Sequence, residues 1–183
     1  MILRACTADD LPHVQAIYAH HVLTGVASFE EIPPSLEEIR ARHARIVQGG
    51  YPFLVAVLEG SIAGYAYASE YRPRSGYRYT CESTVYIAPA AQRRGVGRAL
   101  MLEVIVLCER RGLKEMLAVI GDSANEASIG LHAALGFRPA GVFTRVGFKF
   151  GRWVDTVLMQ RELHPITGSS VADAPQTVAP SRG

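Results

Sequence analysis

The sequence predicts a mixed α+β domain in which helices flank a twisted central sheet. Short stretches rich in β-branched and aromatic residues alternate with stretches whose apolar residues recur at helical spacing. Capping boxes at Thr7 with Asp10 and at Ser35 with Glu38 mark two helix starts. The predicted order of elements is β-α-α-β-β-β-α-β-α-β-β, which indicates one mixed sheet.

Length and composition are those of one ordinary globular domain. The chain has 183 residues, enough to bury a substantial core. Hydrophobic residues make up 49% of the chain and charged residues 20%. The formal net charge of +2 provides no large basic field, so we expect no nucleic-acid partner.

Membrane and export signals are missing from the sequence. No apolar run is long enough to span a membrane, and Arg4, Asp9 and Asp10 interrupt the layout of a signal peptide. The three cysteines are widely spaced and form no zinc motif. We therefore expect a reduced, cytoplasmic setting without membrane association or bound metal.

The first half of the chain is predicted to contain three strands and two helices. After the opening strand, 2–5, the helices run to about residue 22 and about residue 48, where Gly49-Gly50 ends the second. Strands 53–58 and 62–71 flank Glu59-Gly60-Ser61, which predicts a β-hairpin.

The second half is predicted to contain a strand, a central helix and three further strands with one helix between them. The segments are strand 83–87, helix 98–111, strand 116–121, a helix capped by Ser123 with Glu126 that ends near Gly136, and strands 140–147 and 153–162. From His164 onward the composition shifts to small and polar residues. We expect a domain over residues 1–163 and a flexible tail over 164–183.

The segment between strand 83–87 and the central helix has the features of an anion site. A tight loop from Gln92 to Gly97 has Arg93, Arg94 and Arg98 in or beside it. Glycines let a backbone approach a ligand closely, and the first N–H groups of a helix lack internal partners. A strand that leads into such a loop predicts a phosphate-binding helix start.

Two well-known phosphate loops are excluded at this position. A Walker loop requires a lysine that the segment lacks, and a dinucleotide loop requires a small residue where Leu100 stands. The pattern that remains is Gln-x-x-Gly-x-Gly. A surface turn with solvated arginines is the alternative interpretation.

This pattern resembles the pyrophosphate loop of the GCN5-related N-acetyltransferases (GNAT), which hold coenzyme A. From Leu3 to Leu163 the chain resembles the phosphinothricin or methionine sulfoximine branch of that superfamily, which implies the GNAT fold. The matching segments are 82–86, 92–97, 118–121, Asn125 with Ser128, 131–137, 147–149 and 151–155.

The resemblance implies acetyl-CoA as cosubstrate and a site for each of its parts. Pantetheine would lie beside the backbone of Val85, Tyr86 and Ile87, and Asn125 with Ser128 resembles the residues that bind it. The alternative for Asn125 is a helix cap. The pyrophosphate would contact the N–H groups of Arg93, Arg94, Gly95, Val96, Gly97 and Arg98.

Glu82 is the candidate general base. An acceptor amine is mostly ammonium at neutral pH and must lose a proton before it attacks. In a regular strand Glu82 shares a face with Thr84 and Tyr86, and it stands at the mouth of the predicted strand, where the family carries a glutamate. We expect burial to raise its pKa. A solvated carboxylate at the strand end is the alternative.

His132 and Tyr86 are the candidates for stabilising the thiolate that leaves. Much of the superfamily has a tyrosine just before Leu-Gly-Phe, whereas this chain has His132 there, as the phosphinothricin branch does. A histidine there can donate to the thiolate or orient the acceptor. The other histidines are interpreted as structural or solvated: His13, His20, His21, His43 and His164.

The resemblance places acceptor recognition on Phe29 and on the loop before the Glu82 strand. Arginine suits bidentate binding of a carboxylate or phosphinate. Arg74 and Tyr77 rank ahead of Arg72, with Arg78 nearby. Covalent catalysis through Cys81 fits the family less well than direct transfer.

These observations together predict an N-acetyltransferase for a small amino acid or analogue such as phosphinothricin, methionine sulfoximine or methionine sulfone. Another amine, such as a polyamine, an aminoglycoside or a protein N-terminus, is the alternative acceptor. A non-catalytic sensor of acyl-CoA is the alternative class. The segment around Trp153 resembles the part that the branch uses for dimer contacts, so we expect a homodimer.

Overall fold

A computed structural model describes residues 1–164, and the predicted tail lies outside them except for His164. The described residues form seven strands and four α-helices in the predicted order. The strands are β1 (Ile2–Ala5), β2 (Phe53–Leu58), β3 (Ser61–Glu70), β4 (Thr80–Ile87), β5 (Glu115–Gly121), β6 (Arg138–Lys149) and β7 (Arg152–Glu162). The helices are α1 (Leu11–Thr24), α2 (Leu36–Gln48), α3 (Val96–Arg110) and α4 (Glu126–Ala134).

One mixed sheet carries all seven strands in the order β1-β2-β3-β4-β5-β7-β6. Neighbouring strands are antiparallel except β4 and β5, which are parallel. Their register pairs Thr80 with Glu115 and ends where Ser83 pairs with Ala118. The remaining residues of β4 and β5 are not paired with each other, so the sheet opens at its centre.

The two faces of the sheet are covered by different helices. On one face α3 buries Leu100, Met101 and Val104 completely, and residues of α4 pack into the same core. On the other face α1 packs Val14 against Val55 in a second core that includes residues of α2. Each large apolar side chain buried in this way stabilises the fold by about 1.5–3 kcal/mol.

Of the two predicted capping boxes near the N-terminus, the one at Thr7 and Asp10 is complete, and the one at Ser35 and Glu38 has only its Ser35 half. The Thr7 N–H donates to Asp10 Oδ2 over 2.8 Å, although the box opens a short 3-10 turn at 8–10 before α1 begins. The Ser35 Oγ accepts a hydrogen bond from the Glu38 N–H over 3.2 Å and caps α2. The predicted hairpin is also confirmed, because β2 and β3 pair on either side of Glu59-Gly60.

Two element starts were predicted too late. The central helix begins at Val96 rather than at residue 98, because Gly95 takes a φ of 79° and turns the chain directly into it. Strand β4 begins at Thr80 rather than at residue 83, because it pairs with β3 along its length. Glu82 therefore lies inside the strand opposite Ser69, and not at its mouth.

The predicted capping box at Ser123 and Glu126 is wrong. Asn125 is the N-cap of α4, and its Oδ1 accepts a hydrogen bond from the Ser128 N–H over 3.2 Å. The Ser123 hydroxyl instead donates to Asp155 Oδ2 over 2.8 Å. The carboxylate that binds Ser123 belongs to β7, so the sequence around Ser123 does not reveal this contact.

Candidate active site

A cavity of about 310 Å³ lies where β4 and β5 part. Its walls are the separated halves of these two strands, residues of α1 and α2, the loop between those helices, and α4. The residues on its wall include Tyr18, Ser28, Glu30, Arg42, Glu82, Val85, Tyr86, Asn125, Ser128 and His132.

Glu82 lies on the cavity wall on the same face of β4 as Thr84 and Tyr86, as alternation along a strand requires. Burial raises the pKa of its carboxyl, and no charge or hydrogen bond from residues 1–164 contributes to that shift. A carboxyl raised in this way is a better proton acceptor than a solvated one.

Tyr86 is packed among aromatic rings. Its ring centroid lies 5.1 Å from that of Tyr18, edge to face, and 5.2 Å from that of His21. Burial, followed by the effect of Tyr18, raises the pKa of the Tyr86 phenol far above its ordinary value. Tyr86 therefore keeps its proton at neutral pH and can act only as a hydrogen-bond donor or a neutral acceptor.

His132 is buried on α4, and one of its ring nitrogens is held by the backbone. Its Nδ1 lies 2.8 Å from the Ser128 carbonyl oxygen, which can only accept, so Nδ1 carries the proton of the neutral ring. Burial lowers the pKa of His132, which favours that neutral ring. Its Nε2 is buried without a partner among the described residues, as a bare hydrogen-bond acceptor.

The loop before α3 has the backbone of an anion site. Arg93 and Gly95 take φ values of 59° and 79°, which bring the chain sharply round into the helix. Val96 is buried and anchors the first turn, whose N–H groups lack intrahelical partners. Arg94 pairs with Glu59 of the hairpin, while Arg93 and Arg98 are exposed.

Gly97 and Asn125 border the same region from two sides. A Cβ on Gly97 would lie 3.4 Å from Leu131 and 3.6 Å from the side chain of Ile87. The Asn125 Oδ1 is engaged in capping α4, and its Nδ2 donates to the Gly121 carbonyl over 3.4 Å. The cap that was the alternative for Asn125 is therefore present.

Comparison with known proteins identifies the family. A model of the GNAT acetyltransferase domain matches residues 3–158. A phosphinothricin N-acetyltransferase of Alcaligenes faecalis is 58% identical over 165 residues, which cover 87% of this chain and 84% of that protein. The chain belongs to the GNAT acetyltransferase family.

Two further relatives agree with this assignment. An L-methionine sulfoximine/L-methionine sulfone acetyltransferase of Pseudomonas paraeruginosa is 39% identical, over 89% of this chain and 95% of that protein. A crystal structure of a phosphinothricin acetyltransferase from Sinorhizobium meliloti with acetyl-CoA has a TM-score of 0.88 and 42% identity, covering 98% of this chain and 95% of that one. The protein is thus an acetyl-CoA-dependent N-acetyltransferase, and its seven-stranded sheet with four helices is the GNAT fold.

The four residues predicted to bind the acceptor are not part of the cavity wall of this GNAT domain. Arg74 is exposed at the start of a short 3-10 turn. The Arg72 guanidinium lies over the rings of Tyr71 and Tyr77, 5.0 Å and 5.8 Å from their centroids. Phe29 contacts the backbone of Gly147 on β6.

Sequence reasoning missed a polar cluster at the end of the cavity that α1 and α2 form. The Tyr18 hydroxyl lies 2.7 Å from Ser28 Oγ and donates to Glu30 Oε1 over 3.0 Å. The Arg42 Nη1 donates to the same Glu30 oxygen over 2.6 Å. These residues come from two helices and the loop between them, and only the spacing of Glu38 and Arg42, which also pair, is visible in the sequence.

No reactive thiol or metal cluster of the described residues adds to the site. Cys81 is fully buried on the opposite face of β4 from Glu82, and contact with Cys108, together with burial, raises the pKa of its thiol. Residues 1–164 contain no group of three potential metal ligands. Within the same residues, no helix combines the length and the apolar character needed to cross a membrane.

Proposed function

We propose that this acetyltransferase transfers the acetyl group of acetyl-CoA to the amino group of a small amino acid or analogue. Phosphinothricin, methionine sulfoximine and methionine sulfone are the leading acceptors. The observation that carries this proposal is the identity with the Alcaligenes enzyme, which extends over most of both chains. Polyamines, aminoglycosides and protein N-termini are the competing acceptors.

Glu82 acts as the general base in this proposal, directly or through a water molecule. The acceptor ammonium gives one proton to the Glu82 carboxylate, and the neutral amine attacks the thioester carbonyl carbon. A C–N bond forms, the C–S bond breaks, and CoA leaves as a thiolate. The nitrogen loses a second proton as the amide forms, and this proton passes directly or through water to the thiolate, so the products are the amide and the CoA thiol. The raised pKa of Glu82 supports this role, because a base is most effective when its pKa lies closer to neutral pH.

Tyr86 and His132 have different roles in the proposed reaction. A group that stabilises the thiolate must carry a proton, and the raised pKa of Tyr86 keeps its proton in place. Neutral His132 carries its proton on Nδ1, which faces the Ser128 carbonyl, and not on Nε2. We assign Tyr86 as hydrogen-bond donor to the thiolate, and His132 Nε2 as an acceptor that orients the amine.

Acetyl-CoA would lie across the opening of the sheet. On the side that β5 leaves open, the backbone of Val85 to Ile87 can bind the pantetheine amides as an adjacent strand would, apart from the Ile87 carbonyl, which accepts a hydrogen bond from His21 Nε2. Ser128 and the Asn125 amide lie on the opposite wall, at the start of α4. The N–H groups from Arg93 to Arg98 can hold the pyrophosphate, with Arg93 and Arg98 adding positive charge.

We propose that Arg74 and Arg72 bind the anionic groups of the acceptor, and that Tyr77 and Phe29 contact its side chain. Arg42 is the arginine on the cavity wall, but Glu30 and Glu38 already pair with it. Recognition of a carboxylate or phosphinate by arginine therefore falls to the loop before β4, where no carboxylate of residues 1–164 pairs with Arg74.

We also propose a cytoplasmic homodimer. The outer face of β6 and β7 and the turn between them carry six large apolar side chains that are each at least half exposed: Val142, Phe143, Val146, Phe148, Phe150 and Trp153. A patch of this kind on a monomer is a typical protein interface. The cytoplasm suits three cysteines that are all free.

The test is a screen for CoA release with the purified protein. We expect thiol release and an acetylated product with L-phosphinothricin, L-methionine sulfoximine and L-methionine sulfone. Spermidine, kanamycin and an unblocked peptide serve as the competing amines. Faster turnover of any of these three would overturn the proposed acceptor class, and acetyl-CoA binding without turnover would indicate a sensor.

A further inference from the structure

Lys149 is a charged side chain buried at the end of β6. It is 1% exposed, and its Nζ donates to the carbonyl oxygens of Val22 over 2.7 Å and Ser28 over 2.8 Å. None of the ion pairs among residues 1–164 includes it. Transferring an ammonium from water to a buried site with two neutral carbonyls costs free energy. If the role of this position were only structural, an apolar residue would therefore stabilise the fold more.

The two carbonyls belong to the segment that leads from α1 to the cavity. Val22 is in the last turn of α1, where carbonyls lack intrahelical partners. Ser28 lies six residues further on, in the loop between α1 and α2. Lys149 therefore holds both ends of the segment 22–28, which we call the acceptor segment.

Two glycines allow the acceptor segment and the residue after it to pack closely against the sheet. A Cβ on Gly121 of β5 would lie 2.4 Å from the Val26 carbonyl oxygen. A Cβ on Gly147 of β6 would lie 2.4 Å from the ring of Phe29. Neither distance is possible for a real side chain, so the contact depends on glycine at both positions.

A chain of hydrogen bonds leads from the acceptor segment to the cavity wall. It runs from the Ser28 hydroxyl through the Tyr18 hydroxyl to the Glu30 carboxylate, which also accepts from Arg42. All four of these residues line the cavity that Glu82 lines, whereas Lys149 does not. Ser28 is therefore linked by hydrogen bonds to three other polar groups of the cavity wall.

We propose that Lys149 is a positioning residue for the acceptor. Its ammonium fixes the Ser28 carbonyl, and through the chain from Ser28 to Arg42 it fixes the wall of the cavity that α1 and α2 form, which the proposed acetyl-CoA site on β4 and α4 leaves to the acceptor. This inference rests on the proposed function, because it concerns how the same site binds its amine. A lysine that only stabilised the core would affect both substrates equally, and a positioning lysine affects the acceptor alone.

The test compares Lys149→Met with Lys114→Met, which removes an exposed ammonium by the same substitution. For Lys149→Met we expect the acceptor KM to rise about tenfold or more, as for a lost hydrogen bond to a charged group. The acetyl-CoA KM should stay unchanged. Amide hydrogen exchange should increase in residues 22–31 and not in α3, and Lys114→Met should match the wild type in every measurement.

Equal increases in both KM values, or an unchanged acceptor KM, would overturn the proposal. If Lys149→Met does not yield folded protein, Lys149→Gln replaces it, because it also removes the ammonium but keeps a polar hydrogen-bond donor at the position. An unchanged acceptor KM in that variant would also overturn the proposal. A wild-type protein that acetylates no amino acid contradicts the proposed function instead, and hydrogen exchange still reports whether Lys149 holds the segment.

Discussion

Two carboxylates of this domain lie in opposite electrostatic environments. Asp10 accepts hydrogen bonds from Arg4 over 2.6 Å and 2.8 Å and from the Thr7 N–H, and these hold its pKa well below its usual range. Glu82 has no such partner among residues 1–164, and burial raises its pKa. Asp10 therefore stays ionised and supports the fold, whereas Glu82 is suited to exchange a proton.

Replacing Glu82 with glutamine tests the base. Glu82→Gln keeps the shape of the side chain but removes the basic oxygen, so kcat should fall by roughly 10²–10⁴, the usual contribution of general-base catalysis. Acetyl-CoA affinity should be unchanged, and higher pH should restore part of the rate because more amine is neutral. The measurements are the pH–rate profile and the acetyl-CoA Kd, with exposed Glu37→Gln as the control.

A wild-type kcat in Glu82→Gln at neutral pH would show that Glu82 is structural. Parallel losses of rate and of acetyl-CoA binding would mean that it supports the coenzyme site and is not the base.

The same substitution should change stability in a pH-dependent way. The folded pKa of Glu82 is raised above its ordinary 4.5, so ionisation is disfavoured in the fold. The wild type should lose stability as pH rises from 4.5 through the folded pKa, and the glutamine variant should not. Urea unfolding should show the variant gaining relative stability between pH 4 and pH 8. An equal difference at both pH values would contradict the assigned burial effect.

Arg74 is the residue on which acceptor recognition is predicted to depend. Arg74→Ala should weaken binding of carboxylate acceptors by about 1.5–3 kcal/mol, the usual contribution of a charge-assisted hydrogen bond. The acetyl-CoA KM should be unaffected. Steady-state kinetics with both substrates varied provides the measurement, and Arg40→Ala on the exposed surface of α2 is the control. An unchanged acceptor KM would transfer the role to Arg72 or Arg78.

At the scale of elements, the site depends on the junction of β4, its following loop and α3. The parallel pairing of β4 with β5 ends at Ser83 and Ala118, so the second half of β4 is free to pair with a ligand. The loop then turns at Gly95 into the first turn of α3, whose N–H groups lack intrahelical partners. In the proposed site, one continuous segment binds both the pantetheine and the pyrophosphate of acetyl-CoA.

Gly97 tests this junction. The extra methyl groups of Gly97→Val would crowd Leu131 and Ile87, whose side chains lie 3.4 Å and 3.6 Å from the position of a Cβ. We expect a strongly raised acetyl-CoA KM with a folded protein. Gly130→Val is the matched control, because a Cβ at Gly130 meets nothing within 4 Å. A folded Gly97→Val variant with wild-type acetyl-CoA KM would contradict the assignment of the loop.

At the scale of the molecule, the two faces of β6 belong to two different proposals. From Val146 to Phe150 exposed and buried residues alternate, so Val146, Phe148 and Phe150 face outward while Gly147 and Lys149 face inward. The outward residues belong to the proposed dimer face, and the inward ones hold the acceptor segment. Dimer contacts and acceptor binding are therefore adjacent through a single strand.

Introducing a charged residue into the apolar patch on β6 and β7 tests the proposed dimer. Phe148→Glu places a carboxylate in the apolar patch, and we expect the variant to be monomeric at concentrations where the wild type is dimeric. Light scattering after size exclusion should return twice the chain mass of 19.9 kDa for the wild type. Val47→Glu, at a residue of α2 that is 48% exposed, should remain dimeric, because α2 packs on β2 and β3 in the other half of the sheet. A monomeric wild type would overturn the proposal.

The elements, the family and the face of Glu82 could be predicted from the sequence because each depends on short-range rules. Alternation within β4 places Glu82 beside Tyr86, and the glycines of the 92–97 segment indicate a turn into a helix. Patterns of this kind depend only on neighbours along the chain. A prediction made from them therefore holds whichever segment packs against the element.

The wall of the cavity and its support were decided by tertiary structure. Asn125 caps α4 because Asp155 of another strand binds Ser123. The ammonium of Lys149 donates to the carbonyl of Val22, which is 127 residues away in the sequence. The acceptor segment and the residue after it pack closely against two strands because those strands carry glycine at the contacts. Local sequence determined which segments become strands and helices. Only the packing of distant segments decided which polar groups meet, because the burial and hydrogen bonding of a side chain depend on the segments that pack against it.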